Sequence, residues 1–219
     1  MSNKRNWLVI DIETSGLDFD QNEIVQLSGK ALNASNFDDH HGGEFNVYIK
    51  PERPELASKE ALAVIGPVWD KALKDGIKAE VAFTKFMDWV ISCNDTKNVW
   101  GKPLICGHNI IDFDGPFIEH TCKKLKLVKD RNDFPWSWKF DTLITSIAMF
   151  DANPNVNSYS LDAMCNLLGI KRTSQYHNAM EDVKLEVELL RRSMAFFRKA
   201  QKRLMIISGD SNDQTEKKI

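Results

Sequence analysis

The stretch from Leu8 to Asp18, LVIDIETSGLD, is the feature that most constrains how this chain can fold. Its first half is apolar and β-branched, which is typical of a buried strand. Because side chains alternate along a strand, the stretch presents two different faces. One face is apolar and the other ends in acids: Leu8, Ile10 and Ile12 against Val9, Asp11 and Glu13. The fold must therefore bury this strand and still accommodate two neighbouring carboxylates.

The two acids have Cα atoms roughly 6–7 Å apart, given the rise of a strand. Like charges this close in a partly buried site raise each other's pKa unless a cation neutralises them. Mg²⁺ or Mn²⁺, which prefer oxygen ligands, would do so. An exposed strand end with two solvated acids is the alternative, and the D-x-E pattern alone does not decide between them.

The order of elements predicts an α/β fold with a mixed five-stranded sheet and helices on both faces. Strands are predicted over 7–13, 24–32, 44–50, 103–107 and 137–143, and helices over 58–64, 79–92, 116–126, 160–168 and from 179 onwards. The first three strands are joined by short turns, which indicates an antiparallel meander followed by parallel additions.

The final helix has the clearest pattern. One apolar stripe recurs at steps of three and four through Met180, Val183, Val187, Leu190, Met194 and Phe197. Asn178 and Glu181 have the form of a capping box, which starts the helix near Ala179. We expect a single domain over residues 1–205 and a polar, flexible tail over 206–219.

Composition limits the functional classes. The 219 residues suffice for one substantial core, and a net charge of −2 lacks the excess of Lys and Arg typical of proteins that wrap duplex DNA. Any nucleic-acid contact should therefore be local. The four cysteines show no metal-ligand spacing, no apolar run could span a membrane, and the N-terminal MSNKRNW lacks the core of a signal peptide. These features predict a cytoplasmic protein without membrane contact.

A second cluster of polar residues lies in CGHNIIDFDGPF, residues 106–117. It follows a short apolar strand and offers Asn109, Asp112 and Asp114 just before a helix. Either acid could complete a metal site opened by the first two. Asp114 could instead cap the helix, and the residues themselves do not choose between the two acids.

A third cluster is YHNAMED, with His177 and Asp182 five residues apart. Five residues of a helix rotate by about 140°, so both side chains could not point at one spot from within a regular helix. The predicted cap places His177 in the loop before the helix and Asp182 in its first turns. A histidine beside a metal-bound carboxylate suits a general base, although a loop histidine without a function would give the same pattern.

Together, DIETSGL, HNIIDFDGPF and HNAMED resemble the DEDDh exonucleases, the DnaQ-like group within the ribonuclease H-like fold. The resemblance covers roughly residues 6–195 and includes the softer FDTL (140–143) and SLDAM (160–164). Three motifs in this order are far more specific than one. The resemblance implies a ribonuclease H-like fold, with the His of the third motif placing the chain in the DEDDh branch.

The resemblance also implies a site. Two divalent metal ions, Mg²⁺ or Mn²⁺, would be held by Asp11, Glu13, Asp114 and Asp182. The N-x4-D form of the second motif favours Asp114 over Asp112, and His177 would be the general base. Substrate-binding residues would be Thr14, Ser15, Gly16, Leu17 and Asn109. In this interpretation Leu17 stacks on the 3′-terminal base, whereas packing of the turn is the alternative.

The implied activity is a 3′–5′ exonuclease that acts on single-stranded or frayed DNA and releases nucleoside 5′-monophosphates. The alternatives are an enzyme that trims RNA or short oligonucleotides and, with less support, a non-catalytic docking module of the same fold. Discrimination between DNA and RNA rests on 2′-hydroxyl contacts that the motifs do not encode. A polymerase or a repair protein is a possible partner.

Three features fit the resemblance less well. Many members carry a His–Gly–Ile motif where this chain has VIGPVW (64–69), so Ile65 stands where that histidine would. Trp136 and Trp138 are predicted on one side of an extended segment, where they could stack on bases or, more commonly, belong to the core. The basic cluster RKAQKR (198–203) could touch phosphates or be a solvated helix end.

Overall fold

A computed structural model describes residues 5–94 and 101–207 of the chain. Residues 1–4, which begin the MSNKRNW segment, and residues 208–219 of the predicted tail lie outside these ranges. The strands are β1 Trp7–Thr14, β2 Ile24–Leu32, β3 Asp39–Tyr48, β4 Leu104–Gly107 and β5 Lys139–Asp141. The helices are α1 Lys59–Ile65, α2 Pro67–Asp75, α3 Ala79–Ser92, α4 Asp114–Lys124, α5 Thr142–Phe150, α6 Leu161–Leu167 and α7 Ala179–Ile207.

The strands form one sheet in the order β3-β2-β1-β4-β5. The β1–β2 and β2–β3 pairs are antiparallel, whereas β4 and β5 add in parallel to β1. The predicted mixed five-stranded sheet is therefore confirmed. Because β1, β4 and β5 run in the same direction, their carboxyl ends meet at one edge of the sheet. The acids of β1 and the loop that follows β4 are brought together at that edge.

Helices cover both faces of β1. On its apolar face, the strand packs against aromatic and aliphatic side chains of α3 and α4, including Phe83, Phe86, Phe117 and Ile118. On its other face, Val9 packs against the apolar stripe of α7 through Met180, Val183, Val187 and Leu190. The predicted alternation of the strand is thus realised, with a different helical layer on each side.

Several element boundaries differ from the predicted ones. Helix α2 was not predicted; Pro67 begins it, and its buried residues Val68 and Ala72 pack on Val25 of β2. Strand β3 begins at Asp39 rather than 44, because β2 is long enough to pair with this polar, glycine-rich segment. Helix α4 begins at Asp114, two residues before the predicted start.

The start of α7 agrees with the sequence, although its cap is built differently. Asn178 Oδ1 accepts hydrogen bonds from the backbone N–H groups of Met180 and Glu181, at 3.1 and 3.3 Å. Within the described residues, the Glu181 carboxylate does not return to Asn178 as in a capping box. It accepts from Thr173 and Ser174 instead, which fastens the preceding loop to the helix.

The state of the cysteines and the lengths of the helices complete the description of the fold. All four cysteines are buried free thiols. Across the described ranges, every helix is too short or too polar to cross a membrane.

Candidate active site and metal centre

All five predicted catalytic residues and three of the predicted substrate-binding residues line one open cleft of about 680 Å³ at the carboxyl end of β1. The cleft wall includes Asp11, Glu13, Asp114, His177 and Asp182, together with Thr14, Leu17 and Asn109. Four separate segments thus supply one site: β1, the loop after β4, the first turn of α4 and the start of α7.

Of the two candidate acids in the second motif, the structure brings Asp114 into the cleft. Its side chain is only 3% exposed, and Oδ1 accepts a hydrogen bond of 3.1 Å from the backbone N–H of Ile12. Asp112 is exposed and lies outside the cleft. Asp114 is the first residue of α4 and not its cap, so its carboxylate ties that helix to β1 beside the acids of the strand.

His177 lies in the loop before α7, and its Nδ1 is 3.3 Å from Oδ2 of Asp182. The backbone N–H of His177 donates to the carbonyl of Val64, which holds the loop against α1. Ligand atoms of Glu13, His177 and Asp182 lie within 4.8 Å of one another. This trio combines two carboxylates and an imidazole at a spacing that could hold a metal ion.

The acids depress one another's ionisation. Burial, followed by the charges of Asp114 and Asp182, raises the pKa of Asp11 well above its ordinary value. Burial, followed by the charge of Asp182, raises the pKa of Glu13 to about 8. Burial also raises the pKa of Asp114 to about 7. Carboxylates are ordinarily fully ionised near pH 7. In this cluster they keep protons at that pH unless a cation compensates their negative charge.

The donor set fits divalent metal ions. Within the described residues, Glu13 Oε1 is buried and has no hydrogen-bond partner, so a free ligand atom faces the cluster. Oxygen ligands with one imidazole are compatible with Mg²⁺ or Mn²⁺. The chemistry of the cleft therefore agrees with the sequence-based expectation of a metal centre, and the geometry adds His177 to the group around Glu13.

Two charged residues of the site were missed by sequence reasoning. The Arg172 guanidinium contacts Asp182 through Nη1 and Asp162 through Nη2, the latter at 2.8 Å. Glu186 is fully buried one helical turn after Asp182, and its Oε1 accepts a 2.6 Å hydrogen bond from the His108 backbone N–H. The i, i+4 spacing of the two acids on α7 was a usable signal for Glu186. No motif pointed to Arg172.

The softer FDTL motif holds the loop that carries Asn109. Asp141 Oδ1 accepts from the N–H groups of Asn109 and Leu143, at 3.0 and 2.8 Å, and Oδ2 accepts from Ile111 at 3.2 Å. Thr142 Oγ1 lies 3.0 Å from Nδ1 of His108. These contacts fix the path of the chain between β4 and α4.

The turn after β1 divides the predicted pocket floor into two kinds of residue. Thr14 and Leu17 line the cleft, and Leu17 is 83% exposed, so packing of the turn does not account for its side chain. Ser15 is buried and exchanges hydrogen bonds with Glu23, whereas a Cβ on Gly16 would lie 2.3 Å from Asn22. Ser15 and Gly16 therefore shape the turn and lie outside the cleft wall.

Ile65 and the two tryptophans, which fit the resemblance less well, occupy three different environments in the structure. Ile65 is buried with Val25 and Val68 and forms part of the cleft wall. Trp136 is 6% exposed and packs in the core, whereas Trp138 is 63% exposed, so the two rings do not share one surface. The predicted strand was too long: β5 begins only after both tryptophans.

The sequence matches the model of the RNase_T family, described as "Exonuclease", over residues 8–190. The chain belongs to this exonuclease family. The predicted resemblance to the DnaQ-like exonucleases is thereby confirmed.

Relatives of this exonuclease include bacterial DNA polymerase III proteins. The chain is 23% identical to DNA polymerase III PolC-type of Mycoplasma genitalium over 209 residues, which is 95% of this chain and 12% of that protein. It is 27% identical to DNA polymerase III subunit epsilon of Pasteurella multocida over 184 residues, which is 81% of this chain and 64% of that protein. The exonuclease chain thus spans less than two thirds of either relative.

The fold agrees with that of solved exonucleases. The crystal structure of E. coli exonuclease I with bound zinc and single-stranded DNA superposes with a TM-score of 0.69 at 18% identity, covering 86% of this chain and 40% of that one. Cell-death related nuclease 4 gives a TM-score of 0.69 at 17% identity, covering 89% of this chain and 65% of that one. At such identities the likeness concerns the fold.

Proposed function

We propose that this chain is a metal-dependent 3′–5′ exonuclease that hydrolyses single-stranded or frayed DNA and releases nucleoside 5′-monophosphates. The observation that carries the proposal is the convergence of Asp11, Glu13, Asp114 and Asp182 with His177 in one open cleft. A module that only docks other proteins has no need for four converging carboxylates, whose mutual repulsion costs stability. A metal-dependent phosphodiesterase needs such a cluster to bind its metal ions.

The four acids would hold two divalent ions, Mg²⁺ or Mn²⁺. When bound, such a pair stabilises the attacking and leaving oxygens of a phosphodiester and lowers the pKa of water. The protein's part is to keep the carboxylates in place before the ions arrive. The hydrogen bond from Ile12 N–H to Asp114 does this for α4, and the contact between Arg172 and Asp182 does it for α7.

His177 would accept the proton of the attacking water. Its side chain is 41% exposed, so the ring can reach solvent in the cleft, while Asp182 holds the Nδ1 edge. That hydrogen bond raises the pKa of His177, which makes the ring a stronger base. Asp182 thus has two roles, as a metal ligand and as the residue that orients the base.

Leu17 would contact the terminal base at the 3′ end. An exposed leucine at the cleft wall offers an apolar surface that accepts any base, because every base has an apolar face. Thr14 and Asn109 would contribute polar contacts nearby. The cleft is open, and its charged lining residues are carboxylates accompanied by two histidines. It therefore suits a few nucleotides at a strand end better than a duplex, in line with the net charge of −2.

DNA is the favoured substrate and a DNA polymerase the favoured partner. Related structures of E. coli exonuclease I are complexes with DNA oligonucleotides such as dA16, and related sequences are polymerase III proteins. Both relationships support a role at DNA 3′ ends during replication or repair.

The test is a time course with 5′-labelled DNA and RNA strands of matched sequence, in Mg²⁺ or Mn²⁺. We expect a ladder that shortens stepwise on DNA, stops with EDTA and is absent for Asp11→Asn. Asp112→Asn, which alters the exposed acid of the loop between β4 and α4, is the matched control and should retain activity. A single internal cut, or degradation that persists in EDTA, would contradict the proposal. Faster degradation of the RNA strand would overturn the preference for DNA.

A further inference from the structure

We propose that Gln26 is a positioning residue for the reaction, because its side chain fixes the start of α7 between His177 and Asp182. This inference rests on the proposed function. Gln26 lies on β2, in register with Glu13 of β1, and its side chain is fully buried. Its backbone pairs with β1, and its side-chain hydrogen bonds run to β3 and to the first turn of α7.

The contact is a hydrogen bond from the backbone N–H of Ala179 to Oε1 of Gln26, at 3.0 Å. Ala179 is the first residue of α7 and is fully buried, so water cannot replace this acceptor. The first N–H groups of any helix lack acceptors within the helix. In α7, Asn178 accepts from the next two N–H groups, and Gln26 accepts from the first across the interface with the sheet.

The other end of the Gln26 amide is held as well. Nε2 donates to Oδ1 of Asn46 on β3 at 3.0 Å, and the Ser28 hydroxyl donates to the same oxygen at 3.0 Å. Nε2 also lies 3.5 Å from Oδ1 of Asn178. Because the amide nitrogen is directed at Asn46, the amide oxygen is directed at Ala179. Strands β2 and β3 thereby determine where α7 begins.

The position of this bond gives it a functional consequence. His177 precedes Ala179 by two residues, and Asp182 follows it by three. The apolar stripe of α7 also holds the helix on the sheet, but apolar packing is non-directional and tolerates small shifts along the axis. The directional hydrogen bond from Ala179 to Gln26, at the N-terminal end of α7 where the site residues lie, suppresses such shifts. Loss of the bond should therefore loosen the base and a metal ligand together.

The test compares Gln26→Leu, which removes the acceptor, with Gln26→Glu. A fully buried carboxyl at this position keeps its proton, so it offers an oxygen to Ala179 N–H and a donor to Asn46. Gln201→Leu, an exposed change at the far end of α7, is the matched control. We expect Gln26→Leu to lower kcat on a DNA strand by at least tenfold with KM changed less than about threefold. We also expect weaker Mn²⁺ binding in calorimetry and at least tenfold faster hydrogen exchange at Ala179. Gln26→Glu should restore kcat to within about threefold of the wild type.

Wild-type kcat and Mn²⁺ affinity in folded Gln26→Leu would overturn the proposal, as would a loss that Gln26→Glu does not restore. If Gln26→Leu does not fold, Asn46→Ala provides the test, because it removes the exposed side chain that accepts from the Gln26 amide. A kcat at least threefold lower in Asn46→Ala supports the proposal, and a wild-type kcat in that variant contradicts it. An inactive wild type would instead refute the proposed function. The role of Gln26 would then be tested by Mn²⁺ affinity, and an unchanged affinity in Gln26→Leu would overturn that role.

Discussion

The two faces of β1 bury opposite kinds of side chain. On one face, Leu8, Ile10 and Ile12 meet the aromatic rings of α3 and α4, and burial alone stabilises the contact. On the other face, Asp11 and Glu13 follow Val9 under the start of α7, and burial there raises the pKa of both acids. One face of the strand stabilises the fold, and the other is stable only when its charge is compensated.

The difference shows how an exonuclease can keep a costly site. The apolar face holds β1 rigidly against α3 and α4, so the acids on the opposite face cannot relax away from one another. A cluster of this kind resembles other functional sites in which stability is sacrificed for activity. Substitutions that separate the two faces can test this interpretation.

The largest contrast is expected between the adjacent residues Ile10 and Asp11. Asp11→Asn should lower kcat roughly 10⁴-fold, about 5.5 kcal/mol of barrier, because it removes a metal ligand. Its metal-free stability should be equal to or above that of the wild type. Ile10→Ala should do the opposite, with a loss of about 2–5 kcal/mol in unfolding free energy and nearly normal kcat in the folded fraction. Urea titrations and single-turnover assays measure the two effects, and equal effects in both variants would contradict a division of labour.

Substitution of His177 tests the site on the Asp11–Glu13 face of β1 without changing any of the carboxylates. His177→Ala should lower kcat by on the order of 10²–10⁴, the usual contribution of a general base, while metal binding largely persists. In the metal-free wild type, an NMR titration of the His177 ring should have its midpoint above the ordinary histidine range, because the bond to Asp182 raises the pKa of His177. A collapse of metal affinity in the variant would make His177 a ligand instead.

The stability of the metal-free protein should fall as the pH rises from about 4 to 8. The pKa of Glu13 is about 8 and that of Asp114 about 7 in the folded protein, against ordinary values of 4.5 and 3.8. Across this window the folded state keeps protons that the unfolded chain has released, so unfolding is favoured at higher pH. Saturating Mg²⁺ or Mn²⁺ should remove this slope, because ions bound to the folded state add stability by mass action. Thermal unfolding at several pH values, with and without metal, provides the measurement. A stability that rises with pH in EDTA would contradict the account.

Glu186 offers the smallest and most specific test. Burial raises its pKa well above the ordinary value, and Gln can keep the acceptor for the His108 N–H. Glu186→Gln should therefore stabilise the metal-free protein at pH 8 by about 1–3 kcal/mol, since the wild type must either bury a charge there or keep a proton that the unfolded chain releases. Glu188→Gln, at a half-buried position of the same helix where the carboxylate pairs with Arg192 at 2.9 Å, should lower stability by only about 0.5 kcal/mol. Destabilisation of the first variant in EDTA would show that its charge is compensated by other means.

The sequence was informative wherever a local pattern decides the outcome. The alternation of β1 assigned its two faces, and the stripe through Val183 and Val187 located α7. Both depend on residues that are close in the chain and on the period of one element. Asp114 was favoured over Asp112 only through the family resemblance.

Contacts between distant segments could not be predicted in the same way. Gln26 reaches Ala179 across 153 positions, and Arg172 contacts Asp182 only because the loop before α7 folds back on it. Trp136 and Trp138 look alike in the sequence, yet one packs in the core and the other is exposed because β5 begins only after both. Such outcomes depend on tertiary packing rather than on local propensity.

Calorimetric titration of the metal-free protein with Mn²⁺ tests the central claim most directly, namely that the acid face of β1 is a metal centre. The account predicts saturable binding close to two ions per chain for the wild type and for Asp112→Asn, and a loss of most of this binding in Asp11→Asn. Binding that is undetectable in the wild type, or that is unchanged by Asp11→Asn, would contradict it.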